Sequence, residues 1–207
     1  MNRTRALYLL LGLLFLGLIF SHFSGGDLTR ERLAPNAVVL AFGDSLTYGY
    51  GAVNEPYPLQ LEKMVERKVI NAGVSGEVSL SGLKRLPKLL EMYHPSLVIL
   101  CHGGNDILRR SSKESLKANL VAMIELSRKS GAQVLLVGVP GFGLLGLSTV
   151  PLYEEVAEEQ KVLYEGTILE QIENEPSLKS DQIHPNGLGY SLMAEAFAAV
   201  LRESGVL

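Results

Sequence analysis

This chain of 207 residues has a single cysteine and no excess of basic residues, and each of these features excludes a class of structure or partner. Cys101 is the only cysteine, so neither an internal disulfide nor a metal site built from several thiolates is possible. Basic residues number 19 against 22 acidic ones, and the net charge of −3 argues against nucleic acid as a partner. Internal repeats and the composition of disordered chains are also lacking. With 47% hydrophobic residues, the chain predicts one domain with a sizeable core and one appendage.

The appendage is the amino terminus. Arg3 and Arg5 precede an unbroken apolar run, residues 6–20, which is followed by small and polar residues. Positive charge followed by an apolar run is typical of an export signal. This run is long for the core of a signal peptide but shorter than the roughly 20 residues of a spanning helix. Residues 1–26 are therefore predicted to be a signal peptide or an N-terminal membrane anchor, and we favour the anchor.

This leader also predicts where the rest of the chain works. Residues 27–36 are polar and read as a linker, and residues 37–207 as the folded domain. Because basic residues keep the start of an exported chain in the cytoplasm, an anchored domain would face the periplasm or exterior from the inner membrane. After cleavage the domain would be periplasmic or secreted.

Beyond the linker, short β-branched runs alternate with longer amphipathic ones. The strand candidates are residues 37–43, 68–72, 96–102 and 132–139, with a weaker one at 166–169. The helix candidates are residues 58–67, 80–93, 112–130, 151–161 and 185–203. Ser111 and Glu114 have the spacing of a capping box for the third of these helices. Alternating strands and helices predict a three-layer α/β/α sandwich with a mostly parallel five-stranded sheet.

Four short polar motifs lie at predicted strand ends and loops, where a sheet of this kind binds its ligands. They are Gly-Asp-Ser at residues 43–45, NAGVSGE at 71–77, GGND at 103–106 and DQIHPN at 181–186. The first three follow strand candidates, and the fourth precedes the last helix, with Pro185 expected in its first turn. Ligands bind at the carboxyl edge of open parallel sheets, so Ser45 is a candidate nucleophile. Each motif alone is also compatible with a plain turn or a helix cap.

Together the four motifs supply what acyl transfer requires: a nucleophile, a base, a group to orient the base and hydrogen-bond donors for an oxyanion. His184 is held at the entrance of a helix, and Asn105 offers a side-chain amide as a donor. The Gly-x-Ser-x-Gly elbow of α/β-hydrolases is absent because Thr47 occupies the position of its second glycine. A different serine-hydrolase scaffold is therefore expected.

The ordered blocks GDSLTYGYG, VSGE, GGND and DQIHPN resemble those of the SGNH, or GDSL, hydrolase superfamily. The resemblance extends from about Val38 to the last helix and is greatest to the bacterial branch of thioesterase I, lysophospholipase L1 and arylesterases. It implies a flavodoxin-like fold, with no cofactor and no metal. It also implies that Ser45 is the nucleophile, His184 the general base and Asp181 the group that orients the imidazole.

The same resemblance implies the composition of an oxyanion hole. Its donors would be the backbone NH of Ser45, the backbone NH of Gly76 and the side-chain amide of Asn105. Gly73 is a rival for the second donor. Gly76 is preferred because the family glycine follows a small polar residue, as Gly76 follows Ser75.

The segment GFGLLG, residues 141–146, matches the dinucleotide-binding fingerprint G-x-G-x-x-G. Pro140 and Pro151 flank it and leave no room for the helix that the fingerprint requires. We therefore expect an apolar, flexible loop near the catalytic edge, which either lines an acyl groove or packs on the leader or core. The side chains it would offer to an acyl chain are Phe142, Leu144, Leu145 and Leu147.

The sequence thus predicts a metal-independent serine esterase that hydrolyses carboxylic esters or thioesters of acyl chains through an acyl-enzyme on Ser45. Its partner would be a small-molecule or lipid ester, with lysophospholipids as the leading class and membrane association through residues 6–20. Two alternatives stay open. A carbohydrate O-deacetylase of the same superfamily would prefer acetyl esters, and a membrane-tethered binding protein would not depend on Ser45.

Overall fold

The computed structural model describes residues 31–143 and 146–207. The predicted signal peptide or anchor, residues 1–26, and the first part of the linker lie outside the described residues. Within the described ranges, none of the helices has the length and apolarity needed to cross a membrane. The described part of the linker contacts the domain, because Leu33 is buried and its backbone NH donates to the carbonyl of Val206 at 2.8 Å.

Strands and helices alternate along the described chain. In chain order, the strands are β1 (Val38–Gly43), β2 (Lys68–Gly73), β3 (Leu97–Cys101), β4 (Gln133–Val137), β5 (Pro140–Gly143), β6 (Gly146–Thr149) and β7 (Leu163–Glu165). The helices are α1 (Ser45–Tyr48), α2 (Tyr57–Val65), α3 (Ser79–Tyr93), α4 (Gly104–Leu108), α5 (Lys113–Lys129), α6 (Leu152–Gln160), α7 (Ile168–Asn174) and α8 (Gly187–Glu203). A short 3₁₀ turn, Pro176–Leu178, follows α7.

The main sheet is parallel, and its strands lie in the order β2-β1-β3-β4-β7. This is the flavodoxin-like order, and it confirms the predicted sandwich. Helices α2 and α8 pack together in one layer, and α3, α5 and α6 form the other. Because helices cover both faces, β1 and β3 are buried almost throughout and read as continuous apolar runs in the sequence.

The weakest strand prediction, residues 166–169, was wrong. The fifth strand is β7, which ends at Glu165, and residues 168 and 169 already belong to α7. The buried carboxylate of Glu165 accepts hydrogen bonds from the backbone NH groups of Thr167 and Ile168, both at 3.0 Å. These bonds turn the chain out of the strand and into the helix, so the apolar residues there pack from a helix.

Two helix starts also differ from the prediction. Helix α5 is capped by Ser112, whose hydroxyl accepts from the backbone NH three residues later, and not by Ser111. Helix α8 begins at Gly187, because the side chain of Asn186 accepts a 3.1 Å hydrogen bond from the NH of Gly189. Pro185 therefore precedes the helix instead of forming its first turn.

The apolar segment predicted as a flexible loop contains an antiparallel hairpin of β5 and β6, in which Pro140 pairs with Thr149. Proline is tolerated there because it is the first residue of the strand. The hairpin is bonded to α7 at two points. The Asn174 side chain donates to the carbonyl of Leu147 at 3.0 Å, and the NH of Thr149 donates to the Glu170 carboxylate at 2.8 Å.

Candidate active site

Ser45 lies two residues beyond the end of β1, at the carboxyl edge of the sheet, where the strand order reverses between β1 and β3. It is the first residue of the one-turn helix α1, which is capped by the Asp44 side chain through a 3.1 Å bond from the NH of Leu46. The strand must pass close to its neighbour here. A Cβ on Gly43 would stand 2.1 Å from the carbonyl oxygen of Cys101, so only glycine fits before the Asp-Ser pair.

His184 and Asp181 lie beside Ser45, as the sequence predicted. The Nε2 atom of His184 is 3.0 Å from Ser45 Oγ, and its Nδ1 atom is 2.8 Å from Asp181 Oδ2. The other Asp181 oxygen accepts from the backbone NH groups of Ile183 and His184, both at 2.8 Å. Partial burial raises the pKa of Asp181, but these hydrogen bonds outweigh it and hold that pKa below its ordinary value. Asp181 is therefore a carboxylate at neutral pH.

The ring of Tyr50 packs against His184, with 4.5 Å between ring centroids and a tilt of 42°. The backbone at Tyr50 is held in turn, because the buried hydroxyl of Tyr190 donates to its carbonyl at 2.9 Å. Sequence reasoning did not assign a role to Tyr50. Its signal was present, since an aromatic residue in the loop after the Asp-Ser pair can reach the base.

Asn105 lies on α4, immediately after the carboxyl end of β3, and lines the same cavity as Ser45. Its side-chain amide donates to Asp44 Oδ2 at 3.2 Å, which fixes the plane of the amide next to the serine. Burial raises the pKa of Asp44, while His102 and the hydrogen bonds from Leu46 and Asn105 lower it. The sequence predicted Asn105 as a donor but gave no sign that Asp44 holds it.

The structure distinguishes the two glycines proposed for the second donor. Gly76 lines the cavity and has a φ of 77°, a left-handed conformation suited to glycine. The NH of Gly73 instead donates to the Asn71 side chain at 3.0 Å, and a Cβ there would stand 2.0 Å from the backbone nitrogen of Tyr48. Gly73 is thus occupied in packing β2 against α1, and the geometry favours Gly76.

Arg85, on α3, makes hydrogen bonds and an ion pair with the segments that lead into these loops. Its guanidinium donates to the carbonyl oxygens of Gly43 at 3.1 Å and Ala72 at 2.8 Å, which are at the ends of β1 and β2. It also pairs with Glu77 at 2.7 Å, and Glu77 is 3.1 Å from the buried ring of His102. No sequence signal identifies Arg85, because a basic residue on an amphipathic helix is commonplace. Its contacts join the strand that leads into Ser45 to the loop that carries Gly76.

A cavity of about 430 Å³ opens from this group of residues. Ser45, Gly76, Asn105 and His184 all line it. Its walls are mostly apolar and are formed by Leu46, Ile107, Leu108, Val139, Pro140, Leu147 and Ile183. Two polar side chains, Glu173 and Gln182, also line it. Residues that carry a hydroxyl, an imidazole and amide donors therefore line one cavity, whose mostly apolar walls suit an apolar chain.

The predicted acyl groove is represented in this cavity by Leu147, which forms part of its wall. Leu144, Leu145 and the side chain of Phe142 lie outside the described residues. Ile107 and Val139, which sequence reasoning did not select, also line the cavity. Val139 lies two residues beyond the end of β4, and Ile107 lies on α4, the short helix that follows β3, so their positions at this edge of the sheet could have identified them.

Three comparisons with known proteins agree. The profile of the GDSL-like lipase/acylhydrolase family matches residues 41–192. An arylesterase of Vibrio mimicus is 32% identical over 194 residues, which cover 88% of this chain and 94% of the arylesterase. The thioesterase 1/protease 1/lysophospholipase L1 of Escherichia coli K12 is 29% identical over 179 residues, covering 83% and 86% of the two chains. The crystal structure of TesA superposes with a TM-score of 0.72 at 28% identity, covering 81% of this chain and 99% of TesA.

Proposed function

The chain belongs to the GDSL-like lipase/acylhydrolase family and is a carboxylic ester hydrolase, and from that premise we propose that Ser45 is its nucleophile. The observation that carries the proposal is the 3.0 Å contact between Ser45 Oγ and His184 Nε2. The 2.8 Å contact of the other ring nitrogen with Asp181 supports the tautomer in which Nε2 is free to accept a proton.

In the acylation step, Ser45 Oγ attacks the ester carbonyl while His184 Nε2 takes its proton. The negative oxygen that forms is bound by the backbone NH groups of Ser45 and Gly76 and by the Asn105 amide. Asp181 stabilises the imidazolium by remaining ionised. When the tetrahedral intermediate collapses, the C–O bond to the alcohol breaks and His184 returns its proton to the departing oxygen.

Deacylation repeats the sequence with water. His184 removes a proton from a water molecule, whose oxygen attacks the acyl carbonyl on Ser45, and the same donors bind the second oxyanion. Collapse breaks the bond to Ser45 Oγ, which takes back the proton from His184. The carboxylic acid leaves, and the enzyme is regenerated with no cofactor consumed.

We further propose that the preferred substrates carry medium or long acyl chains, with lysophospholipids as the leading class. The support is the cavity, whose volume of about 430 Å³ is larger than an acetyl group can fill and whose walls are mostly apolar. The similar Escherichia coli protein is named as a thioesterase and lysophospholipase, which is in keeping with this class. Each buried methylene contributes about 0.8 kcal/mol, so kcat/KM should rise with the length of the acyl chain.

The nucleophile is tested by labelling the full-length chain with a fluorophosphonate. We expect one label per chain on wild type and none on Ser45→Ala, with ester hydrolysis lost in parallel. Ser75→Ala is a matched control, because this serine lines the same cavity but makes no hydrogen bond with His184 among the described residues. Labelling that persists in Ser45→Ala contradicts the assignment.

The acyl preference is tested with p-nitrophenyl esters from acetate to decanoate. We expect kcat/KM to rise about 4-fold per methylene until the cavity is filled. A preference for acetate contradicts the acyl-chain proposal and favours the O-deacetylase reading. Leu147→Ala should flatten the series, since Leu147 forms part of the apolar wall.

For the amino terminus, we propose that residues 1–26 export the chain and hold its domain on the outer side of the membrane. Support comes from the order of Arg3 and Arg5 before the apolar run at 6–20. Membrane fractionation with alkaline extraction tests it: an integral full-length protein supports an anchor, and a soluble mature form beginning near Asp27 indicates a cleaved signal. Cytoplasmic full-length protein contradicts export.

A further inference from the structure

Glu173, in the last turn of α7, is a buried acid in the wall of the cavity. Its side chain is only 6% exposed, and its Oε2 atom has no hydrogen-bond partner among the described residues. The neighbouring cation is Lys179, whose Nζ atom stands 3.9 Å from Oε2. That ammonium donates instead to the backbone carbonyls of Glu173 at 2.7 Å and Gln182 at 3.3 Å.

Other buried carboxylates of the domain differ from Glu173 in this respect. Asp106 accepts hydrogen bonds of 2.7 Å from both the NH and the hydroxyl of Ser79. Glu165 accepts from the residues that begin α7. In these two acids the hydrogen bonds offset the cost of burial, since a buried polar group without a partner lowers stability. Glu173 Oε2 has no such partner among the described residues, and Glu173 lines the same cavity as the proposed nucleophile.

The position of Glu173 is also fixed. Its helix neighbour Asn174 bonds to the carbonyl of Leu147, and Glu170 bonds to the NH of Thr149, so α7 and the β5–β6 hairpin form one wall. Burial raises the pKa of Glu173 to about 7, with Lys179 lowering it and Asp181 raising it further. The carboxyl group can therefore be ionised at neutral pH without a large additional cost, provided that a donor approaches it from the cavity.

We propose that Glu173 is a specificity-determining residue that binds a hydrogen-bond donor of the substrate, a hydroxyl or a primary ammonium, inside the mostly apolar cavity. The preferred ester would then carry an apolar stretch together with one such donor. The inference rests on the proposed function, because it places the reacting carbonyl at Ser45. It selects among acyl esters and adds no step to the reaction.

The test measures kcat/KM on matched ester pairs that differ only in a donor. For a donor on the acyl chain, the pair is p-nitrophenyl 6-hydroxyhexanoate and heptanoate, with 6-aminohexanoate as the ammonium form. For a donor on the alcohol, the pair is 2-hydroxyethyl hexanoate and propyl hexanoate. Each is measured on wild type, Glu173→Gln and Glu173→Leu, with Glu175→Gln as control because Glu175 is exposed and bonds to Ser177 outside the cavity.

For each pair, the measured quantity is the kcat/KM of the donor-bearing ester divided by the kcat/KM of its methyl-terminated counterpart. We expect this ratio to fall by about 10-fold or more from wild type to Glu173→Leu in one of the two pairs. Glu173→Gln should keep part of the hydroxyl preference, because its amide oxygen still accepts, and should lose the ammonium preference. The pair that responds identifies the side of the ester that meets Glu173. Unchanged ratios in both pairs overturn the inference.

Failure of the proposed function looks different. If wild type hydrolyses none of the methyl-terminated esters, the acyl-esterase proposal fails and this inference fails with it. If wild type and Glu173→Leu hydrolyse those esters equally and fluorophosphonate labels both, the enzyme is intact and only the donor ratio decides about Glu173. Labelling also counts the folded active sites, so a partly unfolded variant is corrected for.

Discussion

The guanidinium of Arg109 donates a 2.9 Å hydrogen bond from Nη2 to the carbonyl oxygen of Gly76. Arg109 caps α4, the helix that carries Asn105, so this bond joins the two segments that hold the proposed oxyanion donors. Gly76 is otherwise loosely surrounded, since a Cβ built on it would meet nothing within 4 Å. Packing alone therefore does not orient this glycine, and the arginine supplies a restraint.

Arg109→Ala should lower kcat about 5-fold with little change in KM, because an exposed hydrogen bond contributes about 1 kcal/mol and this one orients a donor used in the transition state. Arg110→Ala is the matched control, since Arg110 makes no hydrogen bond through its side chain in the described structure. Equal effects of the two substitutions, or a change in KM alone, would contradict a positioning role for Arg109.

Much of the architecture was predictable from local pattern. The first four strands, β1 to β4, were found within about two residues. The three central ones, β1, β3 and β4, stand out because strands buried on both faces are continuous apolar runs. Ser45, Asn105 and His184 were predictable as neighbours because they follow strand ends or precede a helix at one edge of the sheet. The fifth strand was misplaced because three residues of β7 carry too little periodicity to separate them from the start of α7.

What could not be predicted depends on contacts between distant segments. Asp44 bonds to Asn105 across 61 positions, and Arg85 reaches the ends of two strands. Glu173 is one of the charged residues of a short helix, and it becomes a buried part of the cavity wall only when that helix packs on the β5–β6 hairpin and on α8. Residue type and spacing do not predict such contacts, because every one of them depends on how the helices pack on the sheet.

Asp181→Asn should reduce kcat by about 10² to 10⁴ while leaving the fold intact. An asparagine oxygen can still accept from the NH groups of Ile183 and His184, so the loop keeps its shape. The amide, however, offers a donor to His184 Nδ1 and favours the tautomer whose Nε2 already carries a proton. Steady-state kinetics and thermal unfolding measured together check this. A loss under 10-fold would mean that Asp181 does not set the tautomer.

Asn105→Ala should lower kcat by about 10² to 10³ with KM nearly unchanged, because the amide bonds the oxyanion only as charge develops. Asn119→Ala serves as the control. Its side chain donates to Ser79 Oγ at 2.9 Å, so the substitution removes a comparable hydrogen bond outside the cavity. We expect Asn119→Ala to affect stability and not kcat. A kcat for Asn105→Ala close to that of wild type would remove this residue from the oxyanion hole.

Glu173→Gln should stabilise the protein increasingly as pH rises. Burial lifts the pKa of Glu173 from 4.5 to about 7, against the opposing charge of Lys179 and with help from Asp181. Between these values the unfolded chain releases a proton that the folded chain retains, so wild type loses stability across that window and the loss is complete above about pH 7. Other titratable groups near it, His184 in the cavity and Tyr190 on α8, are the same in both proteins.

Glutamine has no proton to release, so its advantage in free energy of unfolding should be larger at pH 8 than at pH 4.5, by about 2 to 3 kcal/mol. Urea unfolding of the full-length chain at both pH values measures it, with the exposed Glu158→Gln as control. A pH-independent difference would mean that Glu173 is not a strained acid. Activity commonly comes at a cost in stability, so an acid that lowers stability at neutral pH is compatible with a side chain that serves binding. The stability measurement thus bears on the donor-binding proposal without depending on any substrate.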